Sequence, residues 1–350
     1  MPVLRCHPVI TLAHGDQLLH LQFNATTFPD AFLYQAQQVM SRFADRVPIW
    51  VTINEPNINF NNYIDNNNIL IAHAKVYHFY KEGLGGTGRI TLMFANNFAV
   101  HLDPNNSSDV EAALRYQEFI LGIEANPLSL GENYTSSVLS ITGINLIGLS
   151  PANLSYINNT IDFFSFDPCT TQFATAPPND IEACAANLSG PLYLTCVFTT
   201  KVRENSWING GESYAFAYLS PQYFCQHLGY VWNASRLSGI AITEFGFHPL
   251  REYARTKDAK RYDFERASYF EDFVSEVLKA THEDGVNVIA AFAWSIMDNN
   301  EFGSYEQQYG LQLVNRTVSG LSRTYKRSIK DYVDFFHSSF KPSGAAGMVQ

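Results

Sequence analysis

The sequence predicts an α/β protein built around a parallel sheet, and three observations carry that reading. Short, continuous apolar runs rich in β-branched and aromatic residues alternate with longer helical patterns. Turn residues bound the apolar runs, as expected for strands covered on both faces. Chemistry-bearing side chains stand at the carboxyl ends of these runs, namely His14, Asn54–Glu55, Asp167, Glu244 and Trp294. A (β/α)8 barrel collects its working residues at that end. An open doubly wound sheet does so too, but no GxGxxG turn supports a nucleotide site here.

Six runs are candidate barrel strands, near 9–13, 49–54, 89–95, 161–166, 239–244 and 288–294. Helical patterns follow around Phe32–Phe43, Ile69–Tyr80, Asp109–Ile123 and Arg266–Asp284. A closed barrel of this class needs eight strands, and the first run is already under way at the start of the chain. The expectation is therefore a (β/α)8 TIM barrel lacking its first two βα units. Residues 1–337 would form the catalytic barrel and 338–350 a C-terminal tail.

Size and composition fit one large domain: 350 residues, 46% of them hydrophobic and 14% aromatic, supply an ample core. The net charge of -10 argues against nucleic acid or an anionic membrane as partner and is compatible with neutral sugars. No apolar run approaches the ~20 residues that span a bilayer. The five cysteines, Cys6, Cys169, Cys184, Cys196 and Cys225, include no CxxC pair, so a zinc or thioredoxin site is not expected. Nor do His7, His14 and His20 have a common metal-ligand spacing, while His73 and His78 read as helix-surface residues or supports behind a site. Sequons begin at Asn24, Asn105, Asn106, Asn133, Asn153, Asn158, Asn187, Asn233 and Asn315. Their density favours a secreted glycoprotein. In that setting Cys184 and Cys196 either close a small disulfide loop or remain two buried thiols.

Glycoside hydrolysis needs two carboxyl groups flanking the scissile bond. Glu55 closes the run Trp50–Asn54 and is followed by Pro56, which ends the strand. Glu244 closes Gly239–Thr243, with Gly246 shortly after. Two acids at two strand ends, far apart in sequence, suit a barrel that gathers strand ends together. A third element, Ala293-Trp-Ser-Ile-Met-Asp-Asn-Asn-Glu-Phe302, offers Trp294 as a flat face for a sugar ring and Glu301 as an acceptor for sugar hydroxyls. Asn54 can hydrogen-bond a hydroxyl beside the reacting centre.

Together these elements resemble glycoside hydrolase family 1, the β-glucosidases and their relatives. The family pattern T-L-x-H-W-D is similar to Thr11-Leu-Ala-His-Gly-Asp16, T-x-N-E-P to Thr52-Ile-Asn-Glu-Pro56 and I-T-E-N-G to Ile242-Thr-Glu-Phe-Gly246. W-S-L-L-D-N-x-E-W is similar to Trp294–Phe302, and R-F-G-L-x-x-V-D to the stretch that begins at Tyr309. The stretch Asp109–Leu130 looks like the family's helix and D-P-L segment, so the likeness runs in order from residue 1 to about 336.

The resemblance implies a (β/α)8 barrel, retention of configuration and no cofactor, and the histidine spacing already argues against a metal site. It makes Glu55 the acid/base and Glu244 the nucleophile, ~5–5.5 Å apart. It makes His14, Asn54, Trp294, Glu301 and Phe302 substrate ligands, and Asp167 and Cys169 the supporting shell. The expected substrate is a β-glucoside or oligosaccharide, cleaved at a terminal non-reducing β-D-glucosyl residue through a covalent glycosyl-enzyme. The oligomeric state is unknown from the sequence.

Several positions depart from the family pattern. The N-terminal part, with two strands and a sugar-binding glutamine, has no counterpart. Phe302 stands for a tryptophan, Asp167 for an asparagine, Cys169 for a tyrosine that supports the nucleophile, Gly15 for a tryptophan and Phe245 for an asparagine. Neither catalytic carboxylate is lost. A catalytically impaired sugar-binding relative, a fragment unable to fold alone, and a transglycosylase with the same intermediate remain open alternatives.

Overall fold

A computed structural model of the chain describes residues 7–14, 23–58, 63–140, 148–187, 189–202 and 217–339. Gly15, His20 and Cys6 lie outside the described residues, as does 340–350 of the expected tail. The centre of the molecule is a six-stranded sheet in the order β1-β2-β3-β5-β8-β9. These strands are Val9–Ala13 (β1), Ile49–Asn54 (β2), Arg89–Ala95 (β3), Phe164–Asp167 (β5), Ile240–Phe245 (β8) and Val288–Ala293 (β9). Every neighbouring pair is parallel. They are the six expected strands in the expected order, and β1 and β9 form the edges of the sheet among the described residues.

Parallel neighbours need crossovers, and the helices that supply them cover the sheet. Helix α1 (Phe28–Phe43) joins β1 to β2, α2 (Tyr63–His78) joins β2 to β3, and α3 (Ser107–Gln117) leaves β3. Pro29 stands in the first turn of α1, where its missing N–H costs nothing. Asn106 caps α3 by accepting from the Ser108 N–H at 3.0 Å. The α1 pattern is apolar on one side, which buries Phe28, Phe32, Ala36 and Met40. Strands β2, β3 and β5 are buried almost throughout, which is why they read as continuous apolar runs rather than alternating ones.

One strand begins later than its sequence suggests. The run 161–166 is apolar from Ile161, yet the strand starts at Phe164. Here the Asp162 carboxylate accepts the Ile90 N–H at 2.7 Å and the Tyr77 hydroxyl at 3.0 Å, and pairs with Lys81 at 2.9 Å. The Asp162 N–H also donates to the Ile90 carbonyl at 2.9 Å, so side-chain pairing reinforces a single backbone bond at that end.

Two smaller sheets flank the main one. Strands Phe98–His101 (β4), Thr171–Thr175 (β6) and Phe198–Thr200 (β7) form one, and Gln312–Val314 (β10) with Arg323–Tyr325 (β11) forms the other. Helices Phe224–Ser235, Phe264–His282 and Arg327–Ser339 complete the cover. The last runs past residue 337, so the expected boundary of the tail falls inside a helix. Cys184 and Cys196 are disulfide-bonded across the loop between β6 and β7. Among the described residues no helix is long and apolar enough to cross a membrane.

A buried ion network ties the segments after β8 and β9 together. Arg266 pairs with Glu252 and Asp263, and Lys326 pairs with Glu252 at 2.8 Å and Asp298 at 3.0 Å. His73 belongs to the core rather than to a helix surface, which corrects that part of the expectation. It is fully buried, and its ring nitrogens lie 2.7 Å from the Thr52 hydroxyl and 2.7 Å from the Thr160 carbonyl. Burial pushes its pKa down to about 4, so it is a neutral bridge between β2 and the turn before β5.

Candidate active site

Glu55 follows β2 directly. Its N–H donates to the Met93 carbonyl at 2.9 Å, and its φ is 43°, in the left-handed region. A non-glycine residue pays for that conformation, and such positions cluster at functional sites. Pro56 and Asn57 follow in a short 3-10 turn. Asn57 locks the turn to β3: its amide donates to the carbonyls of Ala95 and Ile120 at 2.7 and 2.9 Å and accepts from the Ala95 N–H at 2.9 Å.

Glu244 lies within β8, one residue before its end. Gly246 then lets that strand end approach β9 closely. A Cβ at this position would stand 2.2 Å from the Trp294 carbonyl oxygen. Asp167 is the last residue of β5, the strand between β3 and β8. Trp294 follows β9, and the loop after it turns back at Glu301–Ser304. There the two backbones exchange 2.8 Å hydrogen bonds, with Phe302 and Gly303 at φ 49° and 77°. Positive φ at both central residues is what a tight two-residue hairpin turn needs.

Five strand ends, those of β1, β2, β5, β8 and β9, and the loop after β9 therefore converge. A cavity of about 140 Å³ is lined by His14, Glu55, Asp167, Cys169, Glu244, Trp294, Glu301, Phe302 and Tyr309. Eight of the nine expected site residues meet there. The exception is Asn54, which is buried, is not among the lining residues, and has an amide oxygen with no hydrogen-bond partner among the described residues. Phe302 lies at the mouth and is 70% exposed. Two larger surface pockets share no residue with this one.

The side chains hold one another. The Trp294 indole N–H donates to Glu301 at 2.9 Å. The His14 imidazole lies nearly parallel to the indole, 6.1 Å between centroids. His14 Nε2 is 3.8 Å from a Glu244 oxygen, an ion-pair distance rather than a hydrogen bond. Pairing with Glu244 raises the pKa of His14 against the opposing pull of burial.

Electrostatics separates the carboxyl groups. Burial first, and then the charge of Glu244, push the Glu55 pKa up to about 7. Burial also raises Glu301, where the Trp294 and Asn299 donors pull the other way. Asp167 is pushed well above the usual carboxylate range by burial and then by Glu244 and Glu55. Burial likewise raises the Cys169 thiol, which makes thiolate chemistry there unfavourable. Sequence reasoning placed Tyr309 in a motif but gave it no role. Its ring lines the cavity, and its buried hydroxyl has no partner among the described residues.

No group of three or more His, Cys, Asp or Glu residues suited to a metal ion occurs among the described residues. The set is instead two carboxyls at different strand ends, one kept protonated to near neutrality, with an aromatic wall and further acceptors.

Comparison with known proteins points the same way. The family model for glycosyl hydrolase family 1 matches residues 59–340, a span that contains Glu244, Trp294 and Glu301, while His14 and Glu55 precede it. The chain is 28% identical over 375 residues to beta-glucosidase 40 of Arabidopsis thaliana, covering 95% of this chain and 71% of that protein. It is 27% identical to lactase/phlorizin hydrolase of Rattus norvegicus, covering 97% of this chain but 19% of that much longer protein. Among solved structures, beta-glucosidase 2 of the fungus Trichoderma reesei in complex with Tris matches with a TM-score of 0.85 at 24% identity, over 95% of this chain and 75% of that one. A GH1 beta-glucosidase of the fungus Humicola insolens in complex with glucose matches with a TM-score of 0.87 at 24% identity, over 96% and 76%. The fold is thus that of a (β/α)8 barrel, of which the described residues form six parallel strands. The chain belongs to glycosyl hydrolase family 1.

Proposed function

We propose that the chain is a retaining β-glycosidase that removes terminal non-reducing β-D-glucosyl residues. One observation carries this reading. Glu55 and Glu244 line one small cavity, and the charge of Glu244 helps burial to keep Glu55 protonated up to about pH 7. Two carboxyls whose environments differ in this way divide into an acid and a nucleophile.

In the first step the Glu244 carboxylate attacks the anomeric carbon and the bond to the leaving oxygen breaks. Glu55 gives that oxygen its proton, so the aglycone departs neutral. The step leaves a glycosyl ester on Glu244 and a carboxylate on Glu55. In the second step Glu55 takes a proton from water as the water oxygen attacks the same carbon, which frees Glu244 and restores the acid. Trp294 supplies an apolar face for the sugar ring, and Glu301 and His14 supply hydrogen-bonding groups. Phe302 at the mouth meets the substrate as it enters. A sugar hydroxyl in place of water would make the same intermediate a transglycosylation.

Expression of the chain and release of nitrophenol from an aryl β-glucoside tests the reading. Glu244→Gly should lower kcat by roughly 1,000-fold or more while the melting transition stays cooperative. Normal hydrolysis by that variant removes the nucleophile assignment. A second reading, sugar binding without turnover, is favoured by the unusual Asp167 and Cys169 beside the pair. Cooperative melting with sugar binding but no nitrophenol release would establish it.

We further infer a secreted glycoprotein. The sequon asparagines Asn24, Asn105, Asn106, Asn187, Asn233 and Asn315 are exposed, and the one disulfide among the described residues suits an oxidising compartment. A mass decrease on enzymatic removal of N-glycans from protein made in a eukaryotic host is the expected result.

A further inference from the structure

The loop after β8 and the hairpin of β10 and β11 frame a pocket of about 310 Å³ that shares no residue with the catalytic cavity. Four cations line it, Arg255, Lys257, Lys260 and Arg316, and no carboxyl group does. The chain carries a net charge of -10, so this grouping runs against its composition. The acids close by are engaged elsewhere: Glu252 pairs with Arg266 and Lys326, Asp298 with Lys326, and Glu265 with Arg255 at 2.6 Å. Lys257, Lys260 and Arg316 form no ion pair among the described residues. Two of these three are nonetheless held in place, and by neutral groups. Lys260 Nζ donates to the Tyr253 carbonyl at 2.9 Å. Arg316 donates to the Asp298 carbonyl at 2.7 Å, and its guanidinium stands 3.9 Å from the centre of the Tyr305 ring. A neutral acceptor positions a cation without cancelling its charge. Burial lowers the pKa of Lys260, against the pull of Glu252 and Asp298. Like charges fixed side by side repel, and partial burial strips their water, so the pocket is short of negative charge.

We propose that this pocket is a binding site for a phosphate or sulfate group, separate from the catalytic cavity. The inference does not depend on the glycosidase reading. Arg255 and Arg316 present planar donor sets suited to tetrahedral oxyanions, and Lys257 and Lys260 add compact point charges on flexible stems. The hydroxyls of Ser322 and Thr324 line the β11 side and can donate to further oxygens. A turn sets the position of Arg316: the Thr317 N–H and hydroxyl both donate to the Asn315 amide oxygen, at 3.0 and 2.7 Å. The catalytic cavity, lined by Glu55, Asp167, Glu244 and Glu301 with one imidazole, disfavours the same ions.

The test is calorimetry at pH 7 with inorganic phosphate, inorganic sulfate and acetate. It uses the chain made without N-glycans, because Asn315 is a sequon residue that lines the pocket. Phosphate or sulfate should bind at least ~10-fold more tightly than acetate, and the tighter of the two identifies the oxyanion. Raising NaCl from about 20 to about 200 mM should weaken that binding several-fold. Lys257→Gln removes a charge and no ion pair among the described residues, and should weaken binding ~3- to 10-fold with the melting transition unchanged. Adding Lys260→Gln should take the loss beyond ~10-fold. Arg261→Gln removes an equal charge from the same short helix, where Arg261 lies 3.9 Å from Asp258 and outside the pocket. It should leave binding within ~2-fold of wild type. No binding of phosphate or sulfate, acetate bound as tightly, or an Arg261→Gln loss equal to that of Lys257→Gln overturns the proposal.

Discussion

Glu55 shows how one residue is tuned by its place. Its sequence neighbours make it a strand-end acid, but burial raises its pKa first, and the Glu244 carboxylate that adds to this comes from β8, three strands along the same sheet. The sign of the consequence follows from its role. Glu55 must be protonated when the leaving group departs, and its pKa is raised from 4.5 to about 7. The first step should therefore be insensitive to Glu55 up to about pH 6 and fall about tenfold per pH unit above 7. A profile of kcat/KM against pH with its alkaline limb near 7 is the expected outcome. A limb near 4.5 would mean that neither burial nor Glu244 acts on Glu55. Asn57 illustrates a different limit. Nothing in the sequence distinguishes it from an ordinary turn residue, yet its three hydrogen bonds fix the turn that carries Glu55.

At the scale of elements, the site depends on how closely strand ends approach. Gly246 sits where the end of β8 meets the start of the loop after β9. A methyl group there meets the Trp294 carbonyl oxygen at 2.2 Å, which is backbone and cannot swing away. Gly246→Ala should therefore move Trp294 and the Glu244 segment apart. The expected destabilisation is about 1–3 kcal/mol, with kcat down by up to ~100-fold from misplacement alone. Denaturant melts beside kinetic constants separate the two effects, and a wild-type melt with wild-type kinetics would show that the close approach does not matter. The strands themselves were legible because both faces are covered, so each reads as an unbroken apolar run. The pair β10 and β11 was not, because at three residues each it has no period to read. Strand β4 was hidden in the same way, separated from β3 only by Asn96 and Asn97.

For the whole molecule, buried titratable groups set opposite limits on the pH range of stability. Glu124 is fully buried, with both carboxyl oxygens unpartnered among the described residues, and burial raises its pKa to about 8. A raised carboxyl pKa gives stability that is complete below the unfolded value of 4.5 and is lost as pH rises toward 8. The loss at pH 7 is roughly 3 kcal/mol. His73 and His227 act the other way: burial lowers them to about 4 and about 3, so they favour the folded state above their unfolded value of 6.5 and oppose it as pH falls. Between pH 5 and pH 8 the two histidines gain about what Glu124 loses, so the test is the change on substitution: in urea unfolding, Glu124→Gln should raise stability at pH 8 relative to pH 5 compared with the wild-type chain. An equal slope in the variant would place the alkaline loss elsewhere.

The sequence by itself determined the class of this protein. Strand runs, their order and the two strand-end glutamates follow from local chemistry, because burial on both faces demands apolar residues and catalysis demands particular acids next to particular turns. The disulfide stayed open, since two cysteines at one spacing can pair or not, and only the packed loop brought Cys184 to Cys196. His73 looked like a surface or supporting residue until β2 and the turn before β5 closed around it. Tertiary structure alone decided the electrostatics of the site. A carboxyl group's charge depends on what water it loses and which other carboxyls it faces, and those neighbours come from strands up to 190 residues away along the chain. Asp167 is the plainest case: in sequence it is one substitution in a motif, and in the fold it is a buried acid lining the cavity, raised by burial and then by Glu244 and Glu55.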